Sequence, residues 1–348
     1  MPKTLGFSLY LSTYEQQRPM LQLWAGTGAP IFLSLHISEE FDATYCQRAR
    51  EICHSLAAFG FRTIADVSVK TLEQFGCESL TGLAKELKLW GLRIDYGFSP
   101  EKIGEMATQM PIVLNASTTS PADAKRIAAK GGEVFALHNF YPRPETGLDE
   151  EYLMQTTQAL RDAGLSVQAF IPGDSLLRGP LHEGLPTLEA HRKALPSAAY
   201  VDMALRFGIE DIFLSDPGLS EKEMQRIAHF CKTGIICVPA RLDDGWKHLY
   251  GQVFTCRVDS PRWLIRFQES RTYSCPGEIV EPHNCVTRRR GVITVDNRRY
   301  GRYSGELMLI REELPADDRV NVIGEVPENA WLLIDRIARG AKFMLVEV

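Results

Sequence analysis

Short apolar runs in the first two thirds of the chain end in side chains that can take part in chemistry. From the second run onward, these ends carry carboxylates, amides or imidazoles. Carboxylates act as general acids, general bases or nucleophiles, whereas amides and imidazoles hydrogen-bond the hydroxyl and carbonyl groups of a ligand. The candidate site residues at these ends are His36, Asp66, Asp95, Asn115, His138, Asn139 and Asp216.

Helix capping is the alternative explanation for these residues. Asp, Asn and Ser favour helix starts because their side chains accept hydrogen bonds from free backbone N–H groups there. We expect several of the candidates to be caps of this kind. His36 and His138 are poor caps, so they carry more of the functional prediction.

Two long segments rich in Pro and Gly follow the sixth and seventh runs, at residues 138–150 and 171–192. Long ordered loops in a compact fold are usually functional. Arginine donates paired hydrogen bonds to phosphate or carboxylate, so we predict that the arginines of these loops bind an anion. The alternative is that they pair with neighbouring acids. The candidate residues of the two loops are Arg143, Glu145, Arg178, His182 and Glu183.

Asp66 and Asp95 are the predicted acid–base pair, and Glu145 is the main rival for the acid. The two aspartates end neighbouring runs, and adjacent strands of a sheet lie about 4.8 Å apart. At that spacing, repulsion between like charges would raise the pKa of one carboxyl and hold it protonated as a general acid. The alternative is that one of the two aspartates caps the following helix.

The elements that must position these residues have the pattern of a (β/α)8 TIM barrel over residues 1–242. Runs rich in Val, Ile, Leu and Phe alternate with amphipathic segments, as for strands buried on both faces. Such a barrel takes about 250 residues and forms its active site at the C-terminal ends of its strands. A doubly wound open sheet is the alternative, but no Gly-rich phosphate fingerprint follows the first run. The eight runs span residues 5–10, 31–37, 63–69, 92–98, 112–117, 134–140, 167–173 and 212–218.

Residues 243–348 have a different pattern, in which short strands are separated by turn residues. They predict a small, mostly antiparallel β domain, a barrel or half-barrel, with one helix over residues 329–342. Its segment YGRYSGE mixes aromatic and cationic side chains. We hypothesise that Arg302 or Tyr303 reaches the mouth of the barrel, and the alternative is a hairpin with a glycine turn.

The composition of the chain narrows the classes of partner. Its 348 residues carry a formal net charge of -5, which disfavours nucleic acid. No apolar stretch is long enough for a bilayer, and the N-terminus lacks the features of a signal peptide, so we expect a cytoplasmic protein. The 8 cysteines form no CxxC pair, which predicts reduced thiols and no metal site or cofactor. The oligomeric state is left open.

Several segments together resemble one protein family, the 6-phospho-N-acetylmuramidases. They are IADVS, LRIDYGFS, LNAST, HNFYPRPETGLD, RGPLHEGLPTLEAHR and, near the C-terminus, DNRRYGRYSGEL. The resemblance covers nearly the whole chain and implies a TIM barrel followed by a cyclophilin-like domain. One departure is Val69 in VSVKTLEQFG, where the family pattern leads us to expect proline.

The resemblance implies cleavage of the β-1,4 bond after 6-phospho-N-acetylmuramic acid in MurNAc-6-phosphate–GlcNAc, during recycling of cell-wall peptidoglycan. The partner would be this small phosphorylated disaccharide, with no nucleic acid or membrane. An acetamido sugar can also supply its own carbonyl oxygen as nucleophile, so the mechanism stays open between one that uses two carboxylates and one that the substrate assists. Two alternatives remain. One is a sugar-phosphate lyase or isomerase, for which Lys70 is the only Schiff-base candidate, and the other is a non-catalytic binding protein.

Overall fold

The computed structural model describes residues 4–35, 44–271 and 279–348, so His36 lies outside the described residues. The chain divides into two compact units. The first comprises Met1–Pro196 and Phe207–Met224, and the second comprises Ser197–Arg206 and Gln225–Val348. Within the described ranges, no helix is both long and apolar enough to cross a bilayer.

Eight strands close into a barrel in the first unit, in the order in which they occur along the chain. All neighbouring strands are parallel, including the last with the first. This closed parallel barrel confirms the predicted TIM-barrel fold. The strands are β1 (Leu5–Leu9), β2 (Pro30–Ser34), β3 (Arg62–Val67), β4 (Gly91–Ile94), β5 (Ile112–Asn115), β6 (Val134–Leu137), β7 (Ser166–Ile171) and β8 (Asp211–Leu214).

Large apolar side chains from six of these strands form one buried cluster, which explains why the strand sequences are so uniformly apolar. The ring of Phe170 is central to it, with its centroid 5.2 Å from that of Phe32 and 5.1 Å from that of Phe140. Edge-to-face contacts of this kind add to the gain from burial. The cluster comprises Phe32, Ile64, Val113, Leu137, Phe170 and Phe213.

Helices follow the strands, and several start where the sequence places a cap. Ser120 accepts the backbone N–H of Asp123 at 3.1 Å, and Asp149 accepts that of Tyr152 at 2.8 Å. Both contacts satisfy N–H groups that have no partner within the helix. The helices are α1 (Tyr14–Gln22), α2 (Tyr45–Ala58), α3 (Val69–Phe75), α4 (Leu80–Glu86), α5 (Pro100–Ala107), α6 (Pro121–Ala128), α7 (Glu150–Asp162), α8 (Pro196–Leu205) and α9 (Glu221–Thr233).

Val69, the departure from the family pattern, is the first residue of α3, directly after the cap Ser68. Proline is favoured at this position because the N–H that it lacks has no partner within the helix. The backbone N–H of Ser68 donates to Oγ1 of Thr71 at 3.0 Å, and this contact still defines the start of α3. Valine therefore replaces proline without the loss of a helical hydrogen bond.

The second unit contains a seven-stranded sheet in the order β10-β15-β9-β14-β12-β13-β11. All pairs are antiparallel except β9 with β15. A further bridge joins Cys256 to Phe267, next to the two outermost strands, so the sheet curls towards closure. The mostly antiparallel domain is confirmed, whereas its likeness to cyclophilin stays a prediction. The strands are β9 (Ile236–Leu242), β10 (Val253–Thr255), β11 (Leu264–Arg266), β12 (Val292–Asp296), β13 (Leu307–Ile310), β14 (Val320–Glu325) and β15 (Lys342–Glu347).

Strand β9 is missing from the predicted elements. Its sequence, ICVPARL, contains Pro239, and proline lacks the N–H that a central strand needs. The strand tolerates Pro239 because β14 pairs only with its last two residues, Arg241 and Leu242. Most of β9 is therefore paired along one side, with β15.

The single helix predicted over residues 329–342 is wrong in its length. A 3-10 turn at Glu328–Ala330 leads into α10 (Trp331–Arg336), which ends well before Gly340. The guanidinium of Arg311 donates to the carbonyl oxygens of Ile334 and Ile337. The side chain thus satisfies carbonyl groups at the end of the helix that a further turn would otherwise use.

Candidate active site

A pocket of 320 Å³ lies where the barrel strands end. Its floor includes Phe32 and Phe170, so the pocket is directly above the apolar core of the barrel. Carboxylates, an amide and two arginines share the rest of its wall, which combines acid–base groups with cations. The lining residues are Phe32, Ser34, Asp66, Arg93, Asp95, Asn139, Phe140, Tyr141, Phe170 and Arg178.

Arg93 joins the polar groups of this pocket. Its Nη1 donates to Oδ1 of Asp66 at 2.8 Å and lies 3.7 Å from Oδ1 of Asp95. Its Nη2 donates to Oδ1 of Asn139 at 2.5 Å. The guanidinium also lies 5.9 Å from the centre of the Phe32 ring, within range of a cation–π contact. Two carboxylates and one amide are thus held by a single cation.

The strand register explains this arrangement. Asp66 on β3 and Arg93 on β4 are direct partners across the parallel pair. Asp95 follows Arg93 by two residues, so both side chains project from the same face of the strand. The prediction that Asp66 and Asp95 lie at neighbouring strand ends is confirmed. The predicted repulsion between the two carboxylates is offset by Arg93, whose Nη1 lies close to both.

Asp95 is the more exposed carboxylate, with 27% of its side chain accessible against 8% for Asp66. Its Oδ1 accepts a hydrogen bond from Nδ2 of Asn115 at 3.0 Å, and Oδ1 of Asn115 accepts the N–H of Ser117. Asn115 therefore helps to fix the orientation of the Asp95 carboxylate. It is absent from the pocket wall, although it was predicted to bind substrate.

Arg178 is the second cation of the pocket. Its guanidinium lies 4.3 Å from the ring centre of Tyr10 and 6.0 Å from that of Phe140. Among the described residues, no carboxylate forms an ion pair with it. Burial raises the pKa of Tyr10 above its usual range, so this ring stays a neutral phenol beside the cation. Arg178 is therefore available to bind an anion.

Asp216 is fully buried and absent from the pocket wall, although it was predicted to bind substrate. Its Oδ2 accepts the N–H groups of Gly173 and Leu185, at 2.9 and 3.2 Å, and its Oδ1 accepts that of Arg178 at 3.0 Å. Burial raises the pKa of Asp216, and these three amides partly counteract that rise. Asp216 thus holds the loop after β7 in place.

A second, partly buried contact ties this loop to the one after β6. Arg192 donates to both carboxylate oxygens of Glu189, each at 2.6 Å, and to the carbonyl oxygen of Tyr141 at 3.0 Å. Glu189 in turn accepts the N–H groups of Glu145 and Gly147. Hydrogen bonds from Arg192 hold the pKa of Glu189 low, at about 2. These residues fix the backbone of both loops near the pocket.

Four loop residues predicted for the site have exposed side chains that do not line the pocket. Glu145, the rival for the acid role, has a left-handed backbone with φ of 69°. The ring of His182 contacts the carbonyl oxygen of Leu177 through Nδ1 at 2.8 Å. The pocket geometry therefore favours Arg178 over the other charged loop residues. The four are Arg143, Glu145, His182 and Glu183.

His138 and Asn139 are adjacent in sequence but face different surroundings. Asn139 lines the pocket. His138 is fully buried, and its Nε2 contacts Oγ1 of Thr157 on α7 at 3.0 Å. Burial lowers the pKa of His138 to about 4. His138 is thus a neutral core residue, and its predicted role in substrate binding stays a prediction.

Arg302 belongs to the second unit and lies in a 3-10 segment, Arg298–Tyr303. Its Nη2 donates to the hydroxyl of Tyr303 at 2.9 Å, and the guanidinium stacks 5.0 Å from that ring centre. The pair is thus preformed, with Arg302 exposed and Tyr303 half-buried. Its action at the barrel mouth stays a prediction.

Arg93, which lines the pocket, and Tyr10, which contacts Arg178, were missed from the sequence, although each had a signal. Arg93 is a charged residue inside the apolar run LRIDYGF, and an arginine in a buried strand needs a charged partner. Tyr10 ends the first run, to which no candidate was assigned. Among the described residues, no group of three or more His, Cys, Asp or Glu is placed to hold a metal ion.

Comparisons with known proteins agree with this architecture. Residues 5–229 match the family model described as 6-phospho-N-acetylmuramidase, N-terminal, and residues 240–346 match its C-terminal counterpart. A search of curated proteins found no match.

Two crystal structures are similar over the whole chain. One is of a conserved Enterococcus faecalis protein described as having an unknown function, with 30% identity, coverage of 99% of this chain and 96% of that chain, and a TM-score of 0.85. The other is of an uncharacterized B. cereus protein, with 24% identity, coverage of 100% of both chains and a TM-score of 0.78. The second likeness shows the fold alone. On the two family matches, the chain belongs to the 6-phospho-N-acetylmuramidase family.

Proposed function

We propose that this protein is a glycosidase that hydrolyses the β-1,4 bond of MurNAc-6-phosphate–GlcNAc during recycling of peptidoglycan fragments. The observation that carries the proposal is one pocket that combines the Asp66–Arg93–Asp95 cluster with the guanidinium of Arg178. Cleavage of a glycosidic bond needs carboxylates, and a phosphosugar needs a cation. The family matches support the same substrate class.

Arg178 is the proposed phosphate ligand. Its backbone is held by Asp216, and its guanidinium lies against Tyr10, so little freedom is lost when an anion binds. A planar guanidinium can donate two parallel hydrogen bonds to phosphate oxygens. Arg143 is the alternative ligand, but its exposed side chain lies outside the pocket wall.

Asp95 is the proposed general acid. It is the more exposed carboxylate, and the negative charges of the bound substrate would favour its uptake of a proton. Asp95 then protonates O4 of the departing GlcNAc as the bond to the anomeric carbon breaks. Water supplies a hydroxyl to that carbon and returns a proton to Asp95, so one water is consumed in each turnover.

Asp66 is the proposed ionised partner. The side chain of Asp66 is nearly buried, and the 2.8 Å hydrogen bond from Arg93 stabilises its negative charge there. An ionised carboxylate there acts as the nucleophile or orients the acetamido group of the substrate, whose carbonyl oxygen then attacks.

The Schiff-base alternative gains no support from this site. Lys70 is exposed on α3, and the residues that line the pocket include no lysine. We further propose that the protein acts in the cytoplasm, since the cysteines of the described residues are free thiols, as is usual in a reducing compartment.

The test of the proposed function is incubation of the protein with MurNAc-6-phosphate–GlcNAc beside the unphosphorylated disaccharide. We expect release of GlcNAc and MurNAc-6-phosphate from the first, and cleavage of the second that is slower by at least tenfold. Equal rates would refute a phosphate site. Absence of cleavage in both would favour a binding protein, which calorimetry with the phosphorylated disaccharide would then reveal.

A further inference from the structure

One nitrogen of Arg93 contacts both carboxylates of the pocket. Oδ1 of Asp66 lies 2.8 Å from this Nη1, and Oδ1 of Asp95 lies 3.7 Å from it. The two oxygens can therefore be no further apart than these two distances together. The side chain of Arg93 is only 5% exposed, less than either carboxylate, so the cation lies deepest in the cluster.

This spacing bears on the stereochemistry of hydrolysis. Inverting glycosidases place their carboxyl groups about 6.5–9.5 Å apart, which leaves room for the attacking water, whereas retaining enzymes place them about 5–5.5 Å apart. The distance between the two Oδ1 atoms is therefore at most the lower limit of the inverting range.

We infer that Arg93 is a positioning residue that sets the spacing of Asp66 and Asp95, and that hydrolysis therefore retains the anomeric configuration. The inference rests on the proposed function and assigns it a stereochemical course. Arg93 acts through its neighbours, since it holds Asp66 as an anion and also fixes the amide of Asn139. Because arginine only donates, Oδ1 of Asn139 must face it, which leaves Nδ2 as a donor towards the pocket.

Retention requires two displacements at the anomeric carbon. In the first, an oxygen of Asp66 or of the substrate's acetamido group forms a bond to that carbon. The bond to O4 of GlcNAc breaks, and Asp95 gives its proton to that oxygen. In the second, water attacks the same carbon, loses a proton to Asp95 and displaces the first nucleophile. The two inversions leave a β-configured MurNAc-6-phosphate.

The direct test is proton NMR of the anomeric signals during early hydrolysis of MurNAc-6-phosphate–GlcNAc by the wild-type protein. We expect the β anomer of MurNAc-6-phosphate first, with the α anomer growing later by mutarotation. Initial appearance of the α anomer would overturn the inference while the proposed function stands. Absence of cleavage would instead refute the proposed function and the inference with it.

The positioning role is tested with Arg93→Gln and Arg93→Lys, and Arg62→Gln serves as a matched control. Arg62 begins β3, at the other end of the barrel strands, and its guanidinium stacks on Trp90. We expect Arg93→Gln to lose at least a hundredfold in kcat, Arg93→Lys to lose less, and Arg62→Gln to stay within threefold of the wild type.

The pH profile separates positioning from a merely structural role. Without the cation, repulsion between Asp66 and Asp95 favours a proton on one of them, so the acidic limb of kcat/KM should move to higher pH in Arg93→Gln. Arg93→Lys keeps a positive charge, so the acidic limb of its kcat/KM profile should match that of the wild type. The other titratable or charged groups of the pocket wall are Tyr141 and Arg178, and both variants leave them unchanged. Equal losses of kcat in Arg93→Gln and Arg93→Lys, with an unchanged acidic limb, would overturn the positioning role. If Arg93→Gln fails to fold, kcat and the acidic limb of Arg93→Lys decide the question.

Discussion

The carboxylate of Asp216 accepts the backbone N–H of Arg178 at 3.0 Å, so a buried anion holds the residue whose side chain faces the pocket. The same carboxylate accepts two further N–H groups of the loop. Asp216 thus links the end of the barrel to the conformation of the loop that carries Arg178, the proposed phosphate ligand. The arrangement is preformed, which lowers the entropic cost of anion binding.

Asp216→Asn should raise KM for the phosphorylated disaccharide by about ten- to a hundredfold. An amide has one acceptor oxygen where the carboxylate has two, so at least one of the charge-assisted loop contacts, worth about 1.5–3 kcal/mol, is lost. Asp174→Asn is the control, because Asp174 starts the same loop but contacts Ser220. Equal KM values for the two variants would show that Asp216 does not position Arg178.

Arg178→Ala should abolish most of the preference for the phosphorylated over the plain disaccharide. Loss of a charge-assisted contact should cost about 1.5–3 kcal/mol in kcat/KM for the phosphorylated substrate and little for the other. Arg143→Ala, measured alongside, removes an exposed cation outside the pocket wall. If Arg143→Ala loses the preference and Arg178→Ala keeps it, the phosphate ligand is misassigned.

His138 should make folding stability depend on pH in the acidic range. Its pKa is about 4 in the folded protein against about 6.5 unfolded, so the unfolded chain binds more protons between these values. Its contribution is fully present above pH 6.5 and is lost as pH falls towards 4, by up to about 1.4 kcal/mol per pH unit.

Urea unfolding of the wild type and His138→Gln, at pH 7 and at pH 5, isolates this contribution. We expect the wild type to lose more stability than the variant between the two pH values. The opposite order would contradict a neutral, buried His138.

Arg302→Ala should lower kcat/KM about tenfold if this side chain helps to close the site, since it would remove one charge-assisted contact. The full-length chain is needed, because truncation near residue 243 removes β14 and β15, the partners of β9. Arg299→Ala, in the same 3-10 segment, removes an exposed ion pair with Asp318 and is the control. Identical activities of the two variants and the wild type would end this hypothesis.

The barrel could be read from the sequence because strands buried on both faces must be apolar, and all eight runs were. The placement of Asp66 and Asp95 close together could be predicted because the C-terminal ends of barrel strands form one face. The roles of His138 and Asp216 did not follow, since the direction of a side chain at a strand end depends on register and on loop packing. Arg93 was missed because its partners, Asp66 and Asn139, are distant in sequence and meet it only in the folded chain.

The most direct test of the account is kcat for MurNAc-6-phosphate–GlcNAc in three variants, Asp66→Asn, Asp95→Asn and Glu145→Gln. Removal of an essential acid or base should cost about a hundredfold or more. We predict this loss for both aspartate variants, with normal folding, and activity within a few-fold of the wild type for Glu145→Gln, whose side chain is exposed. Near-normal rates in both aspartate variants, together with an inactive Glu145→Gln, would contradict the catalytic roles of Asp66 and Asp95. The loop residue Glu145 would then be the catalytic acid.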